Sequence, residues 1–226
     1  MTGAEPPEPP GRGTAELRER GPAGLRERKK QRTRAAISDT AIALFLRHGF
    51  DEVGVMRVAE EAEVSKRTLF AYFPTKEDLV LHRFADHERE LADVVAHRPP
   101  GHSPLAALRE HTLAGLLRRD PITGLTDAAE PLAIHRMIIG TPSLAARLLQ
   151  YFARSEAALR DALRDTGTGD EVEATVLAAS AVAVLRALAE QNARRLAAGE
   201  SVDAVAPAAE ARVRRAFALL AEGLSG

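Results

Sequence analysis

Apolar residues recur at helical spacing along most of the chain. Ile37, Ala41, Leu44, Phe45 and His48 stand at i, i+4, i+7, i+8 and i+11, the buried face of a first helix over 25–48. Gly49 follows, where a left-handed C′ residue is wanted. Val55, Val58, Ala59 and Ala62 share one face of a short second helix behind Gly54 as N-cap. Ser65 caps a third helix that runs to about Tyr72 and ends before Pro74. Thr75 and Asp78 have capping-box spacing and open a fourth helix, read as continuous to about His97 before Pro99, Pro100 and Gly101 break it. Ser103 with Pro104, and Thr141 with Pro142, repeat a cap followed by an N1 proline. Asp170 with Glu173 is a further capping box. Together these predict later helices over 103–119, 128–139, 142–165, 170–198 and 204–222.

Composition agrees with an all-α fold. Ala makes up 43 of 226 residues, Leu is the next most common apolar type, and β-branched and aromatic residues are comparatively few. Residues 1–24 are rich in Pro, Gly, Glu and Arg and read as a disordered arm. Residues 25–74 read as a compact three-helix domain and 75–226 as a larger helical one. The absence of Cys removes disulfides, thiolate metal sites and cysteine nucleophiles. No charged-then-apolar leader opens the chain, and the longest apolar run, from Ala174 to Leu185, is too short to span a bilayer. The expectation is a cytoplasmic protein with no membrane partner.

A net charge of −1 conceals an uneven distribution. Arg26, Arg28, Lys29, Lys30, Arg32 and Arg34 stand against one acid, Glu27, while residues 86–226 are mildly acidic. This basic stretch opens the helix that supports two short helices joined by a tight turn, the arrangement of a helix-turn-helix. The second short helix would present Lys66, Arg67 and Thr68 at the end that enters a major groove. Arg can bond guanine twice, and Thr can donate, accept or touch a thymine methyl. Cations at a helix N-terminus oppose its dipole, so their placement favours an anionic partner over plain solvation. Tyr72 and Lys76 suit phosphates beside the start of the fourth helix, although Tyr72 equally suits a core aromatic next to Phe70 and Phe73.

The stretch from Ala41 to Leu79, with its Ala-x-x-Leu-Phe-x-x-x-Gly-Phe segment and its Val-Ser-Lys-Arg-Thr-Leu-Phe-Ala-Tyr-Phe-Pro-Thr-Lys-Glu-Asp-Leu segment, resembles the tetracycline-repressor (TetR) family. The resemblance implies about nine helices: three for DNA, a fourth as connector, and the last two as a dimer interface. It places Ser65, Lys66, Arg67, Thr68 and Leu69 on the recognition helix and Tyr72 and Lys76 on phosphates, with Arg32 and Arg34 joining them from the basic stretch. Two departures stand out. Gly54 replaces the usual Thr cap, and Glu63 replaces the usual turn Gly, where a non-Gly residue in a left-handed conformation costs roughly 1 kcal/mol.

The resemblance also implies a small-molecule effector in the second domain and a homodimer on a pseudo-palindromic operator, released by that effector. Candidate lining residues are Leu113, Leu116, Leu117, His135, Met137, Leu148, Tyr151, Phe152, Ser180 and Val184, each of which equally suits plain core. The many Leu and Ala predict a mostly aliphatic wall and an apolar ligand. The dimer face would carry Val172, Val176, Ala179, Ala183 and Ala187, then Val213, Phe217, Leu220 and Leu224, the alternative being that both helices simply close the monomer core. No Walker loop, zinc-protease helix or nucleophile elbow is present, and His82/His87 and His97/His102 are five apart rather than four, so neither an enzyme, a cofactor nor a metal is expected. The competing class is a helical ligand-binding or scaffold protein whose turn motif contacts other proteins.

Overall fold

The computed structural model describes residues 22–85 and 87–223. Residues 1–21, most of the expected arm, and Leu224 lie outside the described residues. The described chain is all helical: α1 Pro22–His48, α2 Val55–Glu61, α3 Lys66–Tyr72, α4 Asp78–Ala85, α5 Glu90–Ala96, α6 Pro104–Leu117, α7 Ala129–Gly140, α8 Pro142–Asp165, α9 Glu171–Ala197 and α10 Val202–Gly223, with a 3₁₀ turn at Pro121–Thr123.

The local signals explain most of these bounds. α1 ends where the N–H of Gly49, at φ +92°, returns to the Phe45 carbonyl. Gly54 caps α2 with extended backbone and no side-chain bond. The Asp170 carboxylate accepts from the N–H groups of Val172 and Glu173, and Glu173 accepts from the Asp170 N–H in return.

One expectation fails. The single helix predicted from Thr75 to His97 is two, α4 and α5. The backbone ladder between them tightens, with His87 N–H bonding the Phe84 carbonyl and Glu90 N–H the His87 carbonyl. Tertiary partners fix the turn: the Glu90 carboxylate accepts from His87 Nδ1 at 2.5 Å and from His111 Nε2, on α6, at 3.0 Å. This break accounts for ten α-helices among the described residues where about nine were expected.

Two apolar clusters form the core. The first joins Ile37, Phe45, Val58, Leu69 and Phe73 of α1–α3 to Leu79 and Leu81 of α4, and continues into Ile138, Leu144 and Tyr151 of α7 and α8. The second holds α5, α6 and α8–α10 together through residues such as Leu108, Leu159, Ala181, Val213 and Phe217. The division expected at 74/75 therefore falls inside the first cluster. Ser38, buried on α1, reinforces that junction by donating to the Leu79 carbonyl at 2.7 Å.

α9 packs against α8 and α10. It alone, among the described residues, is long and apolar enough to cross a membrane, a test that the packed core helix of a soluble protein also passes. Gly124, at φ +68°, ends the 3₁₀ turn against α9, and a Cβ there would lie 2.0 Å from the Ala189 carbonyl oxygen, so only glycine permits the approach.

Candidate nucleic-acid interface and cavity

α1, α2 and α3 form the expected helix-turn-helix around one core. The turn contains Glu63 at φ +53°, so the left-handed position is occupied by the residue that the sequence places there. Ser65 accepts the Thr68 N–H at 3.0 Å, and its hydroxyl lies 2.8 Å from that of Thr68. The pair fixes the start of α3 and leaves Lys66 and Arg67 exposed beside it. Neither cation makes an ion pair among the described residues, although Lys66 Nζ stands 6.0 Å from the Phe70 ring centroid.

Not every expected contact residue is free to face DNA. Leu69 is 1% exposed and lies in the first core, so it anchors α3 and offers a base edge no surface. Tyr72 is half-buried against the same core. Arg34 is half-buried with its guanidinium 5.6 Å from the Phe73 ring centroid, whereas Arg32 is exposed. Lys76 donates to the Phe50 carbonyl at 2.6 Å and lies 4.3 Å from the Phe50 ring centroid. Its ammonium has two further N–H donors for a phosphate. Residues 25–32 are exposed on every side of α1, which makes the basic stretch a projecting helix.

Behind this surface, Asp78 joins the two halves of the molecule. It is 4% exposed. It exchanges bonds with Thr75, the Thr75 N–H donating to Oδ2 at 3.1 Å and the Asp78 N–H to Thr75 Oγ1 at 3.2 Å. From α8, Arg147 donates to both carboxylate oxygens at 2.9 and 3.1 Å, and the Tyr151 hydroxyl donates to Oδ1 at 3.2 Å. Burial pushes the Asp78 carboxyl upward, but the Arg147 and Thr75 bonds outweigh it and hold the pKa below the ordinary value. Burial, together with the neighbouring Asp78 charge, raises that of Tyr151.

Tyr151 also lines a cavity of about 490 Å³ bordered by α4–α10 and the 3₁₀ turn. Of the expected lining residues, Leu116, His135, Leu148, Tyr151 and Phe152 meet there. The others do not. Leu117 is 81% exposed at the end of α6, Leu113 packs on the second core, and Met137 packs on the first. Ser180 and Val184 lie off the face of α9 that turns Val182, Leu185 and Ala189 to the cavity.

The wall is less aliphatic than composition implied. Phe84, His87, His111 and His135 add rings to those of Tyr151 and Phe152. The His87–Glu90–His111 cluster was not foreseen, because its members come from different helices and only Glu90 with His87 shows local spacing. Its histidine bonds, His111's first, hold the Glu90 carboxyl well below the usual carboxylate range. Burial lowers the His135 pKa against the opposing pull of Glu190, which keeps that ring neutral at neutral pH.

Comparison with known proteins accords with this geometry. Residues 37–82 match the family model described as bacterial regulatory proteins, tetR family. The chain is 34% identical over 135 residues to the HTH-type transcriptional regulator TcmR of Streptomyces glaucescens, covering 59% of this chain and 58% of that protein. It is 33% identical over 106 residues to the HTH-type transcriptional repressor KstR of Rhodococcus jostii, covering 46% of this chain and 49% of that protein. The chain thus spans about half the length of the curated relatives it matches. Among solved structures, a TetR transcriptional regulator from Rhodococcus sp. RHA1 is 25% identical with a TM-score of 0.50, covering 87% of this chain and 99% of that one. A TetR-family regulator from Streptomyces coelicolor has the same fold, with a TM-score of 0.54 at 22% identity over 83% of this chain and 96% of that one. The fold carries a helix-turn-helix at its N-terminal end, in the region that the family model matches. Residues 37–82 are thus similar to the N-terminal domain of tetR-family regulators, and the relatives that match further along the chain are regulators of that kind.

Proposed function

We propose that this protein is a homodimeric repressor that binds a pseudo-palindromic operator and is released by a small molecule held in the cavity. The observation that carries the reading is the pair of exposed cations, Lys66 and Arg67, which make no ion pair among the described residues, at the start of a short helix that Leu69 and Phe73 anchor in the core. Such a helix end is a rigid reading head whose unfavourable charge placement is relieved by DNA. The projecting basic turns of α1, with Arg32 exposed, and the two remaining donors of the Lys76 ammonium add phosphate contacts. Ser65 and Thr68 hold the head in shape, and Arg34 and Tyr72 support it from the core side.

The effector acts through Tyr151. Its ring borders the cavity while its hydroxyl bonds Asp78, which opens the helix following the reading head. A ligand that favours a different Tyr151 position shifts the equilibrium between two placements of α4, and so between two spacings of the paired heads. The cavity-lining His135, Leu148 and Phe152 complete the ligand's surroundings.

The test is a mobility-shift titration with a fragment of the protein's own promoter at several salt concentrations. Binding should weaken steeply with salt, and Arg67→Ala should cost about 1–3 kcal/mol and relax one operator position. A promoter fragment bound no better than random DNA would refute the reading.

A further inference from the structure

The charge around the cavity wall identifies the kind of ligand, an inference that rests on the effector reading above. Six carboxylate- or guanidinium-bearing side chains line the cavity: Arg83, Glu88, Glu90, Asp120, Arg186 and Glu190. Five have an ionic or hydrogen-bonding partner within the chain. Arg83 bridges Asp39 and Glu130, each at 3.0 Å. Glu88 takes Arg154 at 2.7 Å and Glu190 takes Arg194 at 3.2 Å. Glu90 holds its two histidines. Asp120 accepts the Ile122 N–H at 3.2 Å and has Arg118 at 3.8 Å. Arg186 alone has no ion pair and no hydrogen-bond acceptor among the described residues; Glu190, one helical turn along the same helix, is engaged by Arg194. Its guanidinium carbon lies 5.9 Å from the ring centroid of Phe152, itself a cavity residue.

The wall around these groups is mainly apolar and includes Ile139 and Leu149, two large side chains more than half exposed. A wall whose one charged group without a bonded partner is a cation, with a mainly apolar remainder, suits an apolar body bearing one negative charge. A guanidinium held near an aromatic face by a cation–π contact keeps its N–H fork available for an oxyanion. We propose that the cavity takes an amphipathic monoanion, with its apolar body inside and its carboxylate, or a comparable oxyanion, on Arg186. A neutral apolar ligand would leave that cation unused.

The experiment measures displacement of a neutral fluorescent probe, N-phenyl-1-naphthylamine, by dodecanoate, dodecanol and dodecylammonium. All three are kept below their aggregation concentrations at low ionic strength. Dodecanoate should displace the probe at about tenfold lower concentration than dodecanol, the lower end for a charge-assisted hydrogen bond. Arg186→Gln should bring the two to parity, and Arg186→Glu should turn the preference toward dodecylammonium. Equal displacement by dodecanoate and dodecanol in the wild type, or an unchanged preference in Arg186→Gln, would overturn the inference while leaving the effector cavity standing. A wild-type protein that binds no probe would overturn the effector cavity and this inference together, and operator binding, scored separately, would be untouched. Arg186 borders the outward Ala183 and Ala187, both exposed, so the mass of each variant is measured in parallel. It should not change. A preference lost together with a change in mass would assign Arg186 to a contact between copies and overturn the proposal.

Discussion

Glu63 carries a cost that its neighbours do not. Its φ of +53° lies in the left-handed region, where an L side chain crowds its own backbone. The strain could be anticipated from sequence because the turn between α2 and α3 is short and its geometry is set by the two helices it joins. Glu63→Gly should therefore raise stability by about 1 kcal/mol, partly offset by the extra freedom of the unfolded chain. A shift of the urea midpoint without a change in slope would register it. The same exchange removes an exposed acid from the turn preceding the reading head, so operator affinity should rise as well. Leu69 shows where residue-level reading stops. A motif marks the whole recognition helix as DNA-facing, but a helix seven residues long must spend one face on the core, and Leu69 is on that face. Only packing separates it from Arg67, two positions away.

At the scale of elements, helices whose ends are set by local chemistry were legible, and those set by distant partners were not. The Ser65 and Asp170 caps act within three residues of themselves, and the structure reproduces them. The break between α4 and α5 depends on His111, which reaches Glu90 from another helix, and no spacing rule within 75–97 reports it. Asp78 combines both kinds of signal. Its exchange with Thr75 is local and was visible, but Arg147 and Tyr151 arrive from 69 and 73 residues away. Asp78→Asn keeps the shape and removes the charge, so it should cost about 1–3 kcal/mol at pH 7, the range for losing hydrogen bonds to a charged group. The pH dependence has a definite sign. Asp78 has a folded pKa below its ordinary value of 3.8, so its stabilisation is complete above that value and is lost as the pH falls through the lower folded one. Urea unfolding at a series of pH values should show wild type and Asp78→Asn well separated at neutral pH and converging below about pH 3.8. Equal stability at pH 7 would mean that the link between α4 and α8 holds little.

At the scale of the molecule, the all-helical architecture was legible because helix-forming residues, caps and breakers agree along most of the chain. The cavity was only half legible: a helix buried on several sides can turn any of its faces inward, and only the packing of α4–α10 decides which. The assembly face raises the same problem. Val213 and Phe217, expected at a dimer contact, lie in the second core of the monomer, whereas Val172 and Val176 are 68% and 46% exposed and continue through Ala183 and Ala187 along the outside of α9. With the half-buried Ala179 between Val176 and Ala183, successive members stand three or four residues apart, so they form one stripe on which a second copy can lie at close range. In a twofold arrangement the stripe meets itself, so one substitution enters the contact twice. Val172→Asp with Val176→Asp should be harmless to a lone chain. Both sites are exposed, and an acid in the first turn of a helix suits its dipole. Across the twofold axis the same change places four carboxylates in an apolar contact, and burying unpaired charge costs far more than the contact gains. Sedimentation equilibrium should find the double variant at half the wild-type mass with unchanged helical circular dichroism. Operator affinity should fall by about a hundredfold, because two linked heads gain that much over one. A single half-site should be bound equally by both proteins, which separates loss of pairing from damage to the head. A double variant that retains the wild-type mass would exclude this stripe as the interface.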